Sequence, residues 1–267
     1  MITSTSNQRV KDLVALQKKS KIRQQERSFL VEGLKMLREV PKDRLSHLYI
    51  SESFRKHQSS ALGDIRITEV LSDTVFSYIS DTKTPQGILG VVRMLDYSLS
   101  DIITSTKRSP SPPFLLILEG IQDPGNLGTI MRSAEAAGVT GIILNTDCVD
   151  IYNPKVIRST MGSVFRVPFV YEDNLVSVVK ELSQAKIRSF ATDLAGSVSY
   201  QVENYTQGVA IFIGNESKGL SSELSDAADA KIHIPMCGQV ESLNAAMATT
   251  IVAFEVKRQR DGGTACN

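Results

Sequence analysis

The chain has 267 residues, 42% of them hydrophobic and 22% charged, enough for one large domain or two modest ones, each burying its own apolar core. Its longest apolar stretches, Phe114–Leu118 and Val209–Ile213, fall far below the roughly 20 residues that cross a bilayer, and the N-terminus carries no apolar signal core. Cys148, Cys237 and Cys266 are an odd number without CxxC spacing and His47, His57 and His233 are scattered, so no disulfide framework and no metal site are expected, and the cytoplasm is the default compartment.

Net charge is only +1, yet residues 1–44 hold eleven Lys or Arg against five Asp or Glu, a local surplus of +6 over a remainder of −5. Such a segment suits a polyanion, although a solvated helix looks equally basic. Ser28–Glu32 and His47–Ser51 read as short strands, with a helical pattern over Leu34–Val40 between them and a last strand over Gly87–Arg93. Residues 1–94 are therefore expected to form a small α/β domain. The stretch 95–113 ends in Lys-Arg-Ser-Pro-Ser-Pro-Pro, whose prolines break helices and cannot donate to a sheet, and it is read as a linker.

Over 114–267, apolar runs alternate with helical patterns: Phe114–Leu118, Gly141–Asn145, Val167–Tyr171, Arg188–Thr192, Val209–Ile213 and Lys231–Ile234. Continuous apolar strands separated by helices predict a parallel sheet covered on both faces, which places ligands in the loops at the strands' carboxyl ends. His233, inside the last run, is read as a packed or hydrogen-bonded strand residue rather than a base.

Three of those loops carry chemistry-bearing residues. Glu119-Gly-Ile-Gln-Asp-Pro-Gly-Asn126-Leu-Gly-Thr-Ile-Met-Arg132 makes a sharp strand-to-helix turn; with the helix beginning near Thr129, Asn126 sits at the loop tip and Arg132 in the first helical turn. Ile213-Gly214-Asn-Glu216-Ser-Lys-Gly219 has two glycines that let backbone approach a flat ligand and a carboxylate to accept from it; it is neither GxGxxG nor a GKS/T phosphate loop, which weakens nicotinamide and ATP readings. Ile234-Pro-Met236-Cys-Gly-Gln-Val-Glu-Ser242-Leu243-Asn244 leads into a helix whose core face is read as Leu243, Met247, Thr250 or Ile251, and Phe254. Singly, each loop also has a structural reading: an Asn turn with a covering Arg, a glycine turn with Glu216 capping the next helix, and an N-cap at Ser242.

Together, in order and spacing, these loops resemble the three signature motifs of the SpoU or TrmH family of RNA ribose methyltransferases, within the SPOUT superfamily. Asn153-Pro-Lys-Val-Ile-Arg158-Ser-Thr-Met-Gly162-Ser is similar to a further segment of that family. In the first domain, Lys21-Ile-Arg23 followed by Phe29-Leu-Val-Glu32-Gly33 resembles the substrate-binding domain often fused before these enzymes, which points to Arg23, Arg27 and Glu32 as RNA contacts. The resemblance implies an α/β fold with a deep trefoil knot in the parallel-sheet domain, a homodimer, S-adenosylmethionine as cofactor, and RNA as partner, rRNA ahead of tRNA. It implies Asn126, Arg132, Glu216, Ser242 and Asn244 as the catalytic set, with Gly214, Ile234, Met236 and Leu243 bordering the cofactor. A noncatalytic RNA-binding protein that keeps the knotted scaffold is the alternative of a different class.

Methyl transfer to a ribose 2′-hydroxyl is an in-line displacement that needs alignment and removal of a proton. An arginine is a poor base, because its guanidinium stays protonated far above neutral pH. Arg132 is therefore expected to orient the hydroxyl and stabilise the developing oxyanion while an RNA phosphate or water takes the proton.

Overall fold

The computed structural model describes residues 1–63, 65–104, 111–195, 197–240 and 242–262, and divides into two compact units. Met1–Asp96 and Asp150–Phe165 form one, Tyr97–Val149 and the chain from Arg166 onward the other.

The first unit runs α1 (Gln8–Lys18), α2 (Ser20–Glu26), β1 (Ser28–Glu32), α3 (Leu34–Glu39), β2 (Leu45–Ser51), α4 (Glu52–Gln58), β3 (Glu69–Leu71), α5 (Asp73–Ile79) and β4 (Ile88–Arg93). Its sheet has the order β1-β4-β2-β3, antiparallel except for the β2–β3 pair. Alternation along the strands divides the core: Leu30, Tyr49, Leu89 and Val91 pack with Val10, Leu13 and Leu16 of α1, while Leu48, Ile50 and Ile88 pack with Leu37 and Phe54 on the opposite face. The basic N-terminal segment is thus a pair of helices. Asn7 caps α1 by accepting from Arg9 N, and apolar residues three apart turn its face inward.

In the second unit, α6 (Leu99–Ile103) precedes β5 (Phe114–Leu118), α7 (Pro124–Ala137) and β6 (Gly141–Leu144). The stretch expected to be a linker is therefore structured in part. Ser98 and Asp101 close a capping box on α6, and Ile102 and Ile103 join the core with Leu115, Ile117 and Ile143. The prolines mark the break, but the cap and the apolar pair stand upstream of them; residues 105–110 lie outside the described residues.

The second departure from 114–267 as one block is the segment 150–165, which carries α8 (Pro154–Thr160) and belongs to the first unit. The Arg23 guanidinium donates to Asp150 Oδ2 from Nε at 2.9 Å and Nη2 at 2.6 Å, and the Phe29 ring lies 4.6 Å from that of Tyr152. The Tyr152 hydroxyl accepts from Leu95 N and donates to Leu95 O.

The chain returns as β7 (Phe169–Tyr171), α9 (Leu175–Gln184), β8 (Arg188–Thr192), β9 (Val198–Ser199), β10 (Val209–Ile213), α10 (Ser222–Ala227), β11 (Ala230–His233) and α11 (Ala245–Arg260). All seven strands are parallel, in the order β7-β6-β5-β10-β8-β11-β9. Every residue of β5 and β10 is buried, as the continuous apolar runs predict for strands covered on both faces. His233 is a strand residue whose Nδ1 lies 2.8 Å from Ser197 Oγ. The expected core face of α11 is corrected: Met247 is 62% and Phe254 44% exposed, while Ala245, Ala246, Thr249, Val252, Ala253 and Val256 are buried. Small residues let α11 lie close along α7, where Ser133 Oγ and Thr250 Oγ1 are 2.7 Å apart, and its larger apolar side chains stay outside.

Candidate active site

Strands β5, β10, β8 and β11 are neighbours in the sheet, so the loops that leave their carboxyl ends are neighbours too. Loops two and three, with the end of β8, line a cleft of about 410 Å³ bordered by Gly214, Glu216, Ile234, Met236, Ser242 and Leu243. Six of the nine residues expected at the site thus meet in one cavity. The sequence reading missed Thr192, Asp193 and Leu194, which the end of β8 adds to it; that strand was legible, and the carboxyl-end rule was the signal for them.

Loop one meets the cleft through hydrogen bonds. Helix α7 starts earlier than expected, at Pro124, because Asp123 accepts from Asn126 N at 2.8 Å and proline suits the first helical position. Asn126 therefore stands in the first turn, not at a loop tip. Its Nδ2 donates to Glu216 Oε1 at 2.9 Å, and its Oδ1 accepts from Asn244 Nδ2 at 2.9 Å. Asn244, not Ser242, caps α11, accepting from Ala246 N and Met247 N. One amide–amide–carboxylate chain thus joins residues of all three loops.

Asn215, which the sequence reading passed over, ties the first two loops: its Nδ2 donates to Gly120 O at 2.7 Å, and its Oδ1 accepts from Ser217 N and Lys218 N. The glycines of loop two serve the loop's own closure. A Cβ on Gly214 would meet the Gly219 carbonyl carbon and Leu220 N at 2.2 Å, and Gly219 takes φ +70° to close the Asn215–Gly219 backbone pair. Helix α10 is capped by Ser221, which Glu119 holds through its N–H and hydroxyl, so Glu216 is free of capping duty. Behind loop one, the Cys148 sulfur accepts from Ile121 N, and burial pushes its thiol up to about 11, which keeps it protonated.

Arg132 stands apart. It lies six residues beyond Asn126 on the same helix, about 9 Å along the axis and about 120° around it. It is exposed and makes no hydrogen bond or ion pair to any described residue. Near the cleft mouth, burial raises the Asp193 carboxyl, but donation from the Ser225 hydroxyl and Ala195 N–H, with Lys231 beside it, outweighs burial and leaves it below the ordinary carboxylate range.

The RNA contacts expected in the first unit are corrected in part. Arg23 is 3% exposed, and its guanidinium is committed to Asp150 and to the carbonyls of Leu16 and Gln17, so it is an internal brace and not a surface phosphate contact. Arg27, at the left-handed end of α2, is exposed and paired with Asp96. Glu32 accepts from the Ser80 and Thr82 hydroxyls at 2.7 and 3.0 Å. Among the described residues no cluster of three or more His, Cys, Asp or Glu is placed to hold a metal, and no helix is long and apolar enough to cross a membrane.

A wholly parallel α/β sheet whose carboxyl-end loops enclose a cofactor-sized cleft defines a ligand-binding protein of the open-sheet class. The particular family follows from likeness along the whole chain: residues 113–254 match the SpoU rRNA Methylase family and residues 7–90 the MRM3-like substrate binding domain, and the chain belongs to the SpoU family. A Bacillus subtilis relative, 23S rRNA (guanosine(2553)-2′-O)-methyltransferase RlmP, is 34% identical over 96% of this chain and 98% of its own. The AdoMet-bound rRNA methyltransferase of Sinorhizobium meliloti superposes with TM-score 0.80 at 33% identity, covering 97% of each chain. AviRb of Streptomyces viridochromogenes, in complex with AdoMet, gives 0.86 at 27% identity, covering 97% of this chain and 100% of its own.

Proposed function

We propose that this chain is an S-adenosylmethionine-dependent methyltransferase that acts in the cytoplasm on a ribose 2′-hydroxyl of ribosomal RNA. The observation that carries the reading is the Asn244–Asn126–Glu216 chain, which gathers three loops at one edge of the 410 Å³ cleft. Whole-length likeness to rRNA enzymes, including the substrate-binding part, supports rRNA over tRNA.

The cleft suits the cofactor. Ile234, Met236 and Leu243 offer apolar walls for a flat base, the backbone around Gly214 comes close, and the Asp193 and Glu216 carboxylates favour cationic groups. When bound, S-adenosylmethionine supplies a methyl group on a positively charged sulfonium. Asn126, held between Glu216 and Asn244, fixes the carboxylate before substrate arrives, so no reorganisation accompanies the reaction. Ser242, exposed beside the cap of α11, is a further positioning group for the ribose. Arg132 orients the attacking hydroxyl and stabilises its developing charge, while an RNA phosphate or water accepts the proton.

The place of Arg132, off the Asn126 face and without an internal partner, favours a homodimer in which it reaches the cleft of a second copy. Met247 and Phe254, exposed on α11 beside α7, are the apolar patch such a pairing would cover. A deep trefoil knot fits the strand order: β10 enters between β5 and β8, and β11 between β8 and β9, before α11.

The test is transfer of radiolabelled methyl from S-adenosylmethionine to total rRNA and tRNA from a strain lacking the protein. Label in rRNA with the wild type and none with Arg132→Ala is expected. Label in tRNA alone overturns the substrate, and RNA binding without any transfer overturns the enzyme.

A further inference from the structure

Two segments that the three loops do not absorb, Phe29–Gly33 and Asn153–Ser163, meet around a second cavity within the first unit. Its volume is about 320 Å³, inside the range of small-ligand sites. The floor is apolar, from Leu30, Met36, Leu89 and Ile157, all buried. Its polar lining includes Glu32, Gln86, Lys35, Arg158 and a second carboxylate, Asp81.

The carboxylate is fixed in advance. Glu32 Oε1 takes both hydroxyl hydrogen bonds, from Ser80 and Thr82, and Oε2 is uncommitted among the described residues. Gln86 is fixed likewise: its Oε1 accepts from Leu34 N at 3.2 Å, which leaves the Nε2 donors for another group. Lys35 is exposed and has no partner among the described residues, whereas Arg158 is half-exposed and faces Asp81 at 3.6 Å, a loose surface pair.

We infer that this cavity receives one unpaired guanine of the RNA substrate. The assignment rests on the proposed reading of the chain as an RNA methyltransferase. An apolar floor with polar groups around it suits a base splayed out of its stack, which is how proteins read single-stranded RNA. Of the four bases only neutral guanine places two adjacent donors, N1–H and the N2 amino group, where both can converge on the open Glu32 Oε2. Its O6 acceptor then meets the Gln86 amide donors. Lys35 and Arg158 on the rim engage the flanking phosphates, and the planar Arg158 guanidinium can also stack on the base.

The experiment is fluorescence anisotropy of the full-length protein with labelled heptamers: U7, and the same strand with guanosine, inosine, adenosine or cytidine at the centre. The central guanosine binds roughly tenfold more tightly than uridine, adenosine or cytidine, and inosine, which lacks the N2 amino group, loses most of that gain. Glu32→Gln turns an amide donor toward the guanine donors and abolishes the preference. Gln86→Ala, at an exposed side chain whose loss leaves the core intact, reduces it should Glu32→Gln fail to fold. Lys35→Ala weakens all heptamers alike and lowers the salt dependence. Equal affinity for all heptamers, or a guanosine preference that survives in both variants, overturns the assignment. Methyl transfer to rRNA by the wild type separates the two readings: if it occurs while the heptamers bind alike, only the cavity's assignment falls; if it does not occur, the RNA methyltransferase reading falls.

Discussion

Arg23 in the first unit and Arg132 in the second use their guanidinium groups in opposite ways. In the first, which carries the chain's surplus of positive charge, Arg23 is buried against Asp150, Arg27 is paired with Asp96, and Arg9 is paired with Glu69. In the second, Arg132 is exposed with no partner among the described residues, on a helix that runs out from a polar network. A cation neutralised by its own fold braces that fold, whereas one without an internal partner leaves its charge open to solvent and to other molecules. Charge density along the sequence therefore does not tell a braced arginine from an unpartnered one; the partners of each guanidinium do.

That contrast can be broken by substitution. Arg132→Ala has the largest expected effect: kcat for methyl transfer falls about 10²- to 10³-fold, while the melting temperature holds, since nothing internal is lost. A destabilised variant, or one with near-normal turnover, removes Arg132 from the chemistry. Arg23→Ala is the mirror case. It leaves Asp150 with the Ser20 hydroxyl and the Tyr152 N–H but no cation, and the stability lost, read by urea unfolding, is about 3 kcal/mol, at the lower end for a broken buried pair. An unchanged urea midpoint would show that the brace is dispensable.

Asn244→Ala tests a residue that belongs to both categories. Loss of the cap of α11 costs about 1 kcal/mol, and loss of the bond to Asn126 lowers kcat as well; Asn244→Asp, which still caps but cannot donate, separates the two by restoring stability alone. The smallest effect is electrostatic. The Asp193 carboxyl is held below its ordinary value, so its contribution is complete above that value, about 3.9, and is lost as pH falls through the lower folded value. The stability gap between wild type and Asp193→Asn should be constant near neutrality and close as the pH falls below the ordinary carboxylate range; a gap independent of pH refutes the assignment.

Much of the second unit was legible because buried parallel strands write themselves as continuous apolar runs, and β5, β8 and β10 begin and end where those runs do. Helix details were less legible. Asp-Pro-Gly-Asn at 123–126 contains three turn formers and reads as a loop, yet an Asp cap followed by Pro is also the chemistry of a helix start, and the latter holds. On α11 the reading took large apolar residues for the buried face, but close helix packing selects alanines and threonine. The Asn126–Glu216 bond spans 90 residues and has no local signature. The helices α1, α2 and α6 were hidden by charge in the first two and by nearby prolines in the third.

The detour between β6 and β7 has a consequence for anyone who would take the molecule apart. Arg23, Phe29 and Leu95 all lean on residues 150–165, which are encoded more than fifty positions after the first unit seems to end. A gene cut at residue 96 would yield a fragment with a bare aromatic face and an arginine stranded without its carboxylate. The first unit is thus no detachable bead that recombination could thread onto a different partner; whatever inherits it must inherit the detour as well.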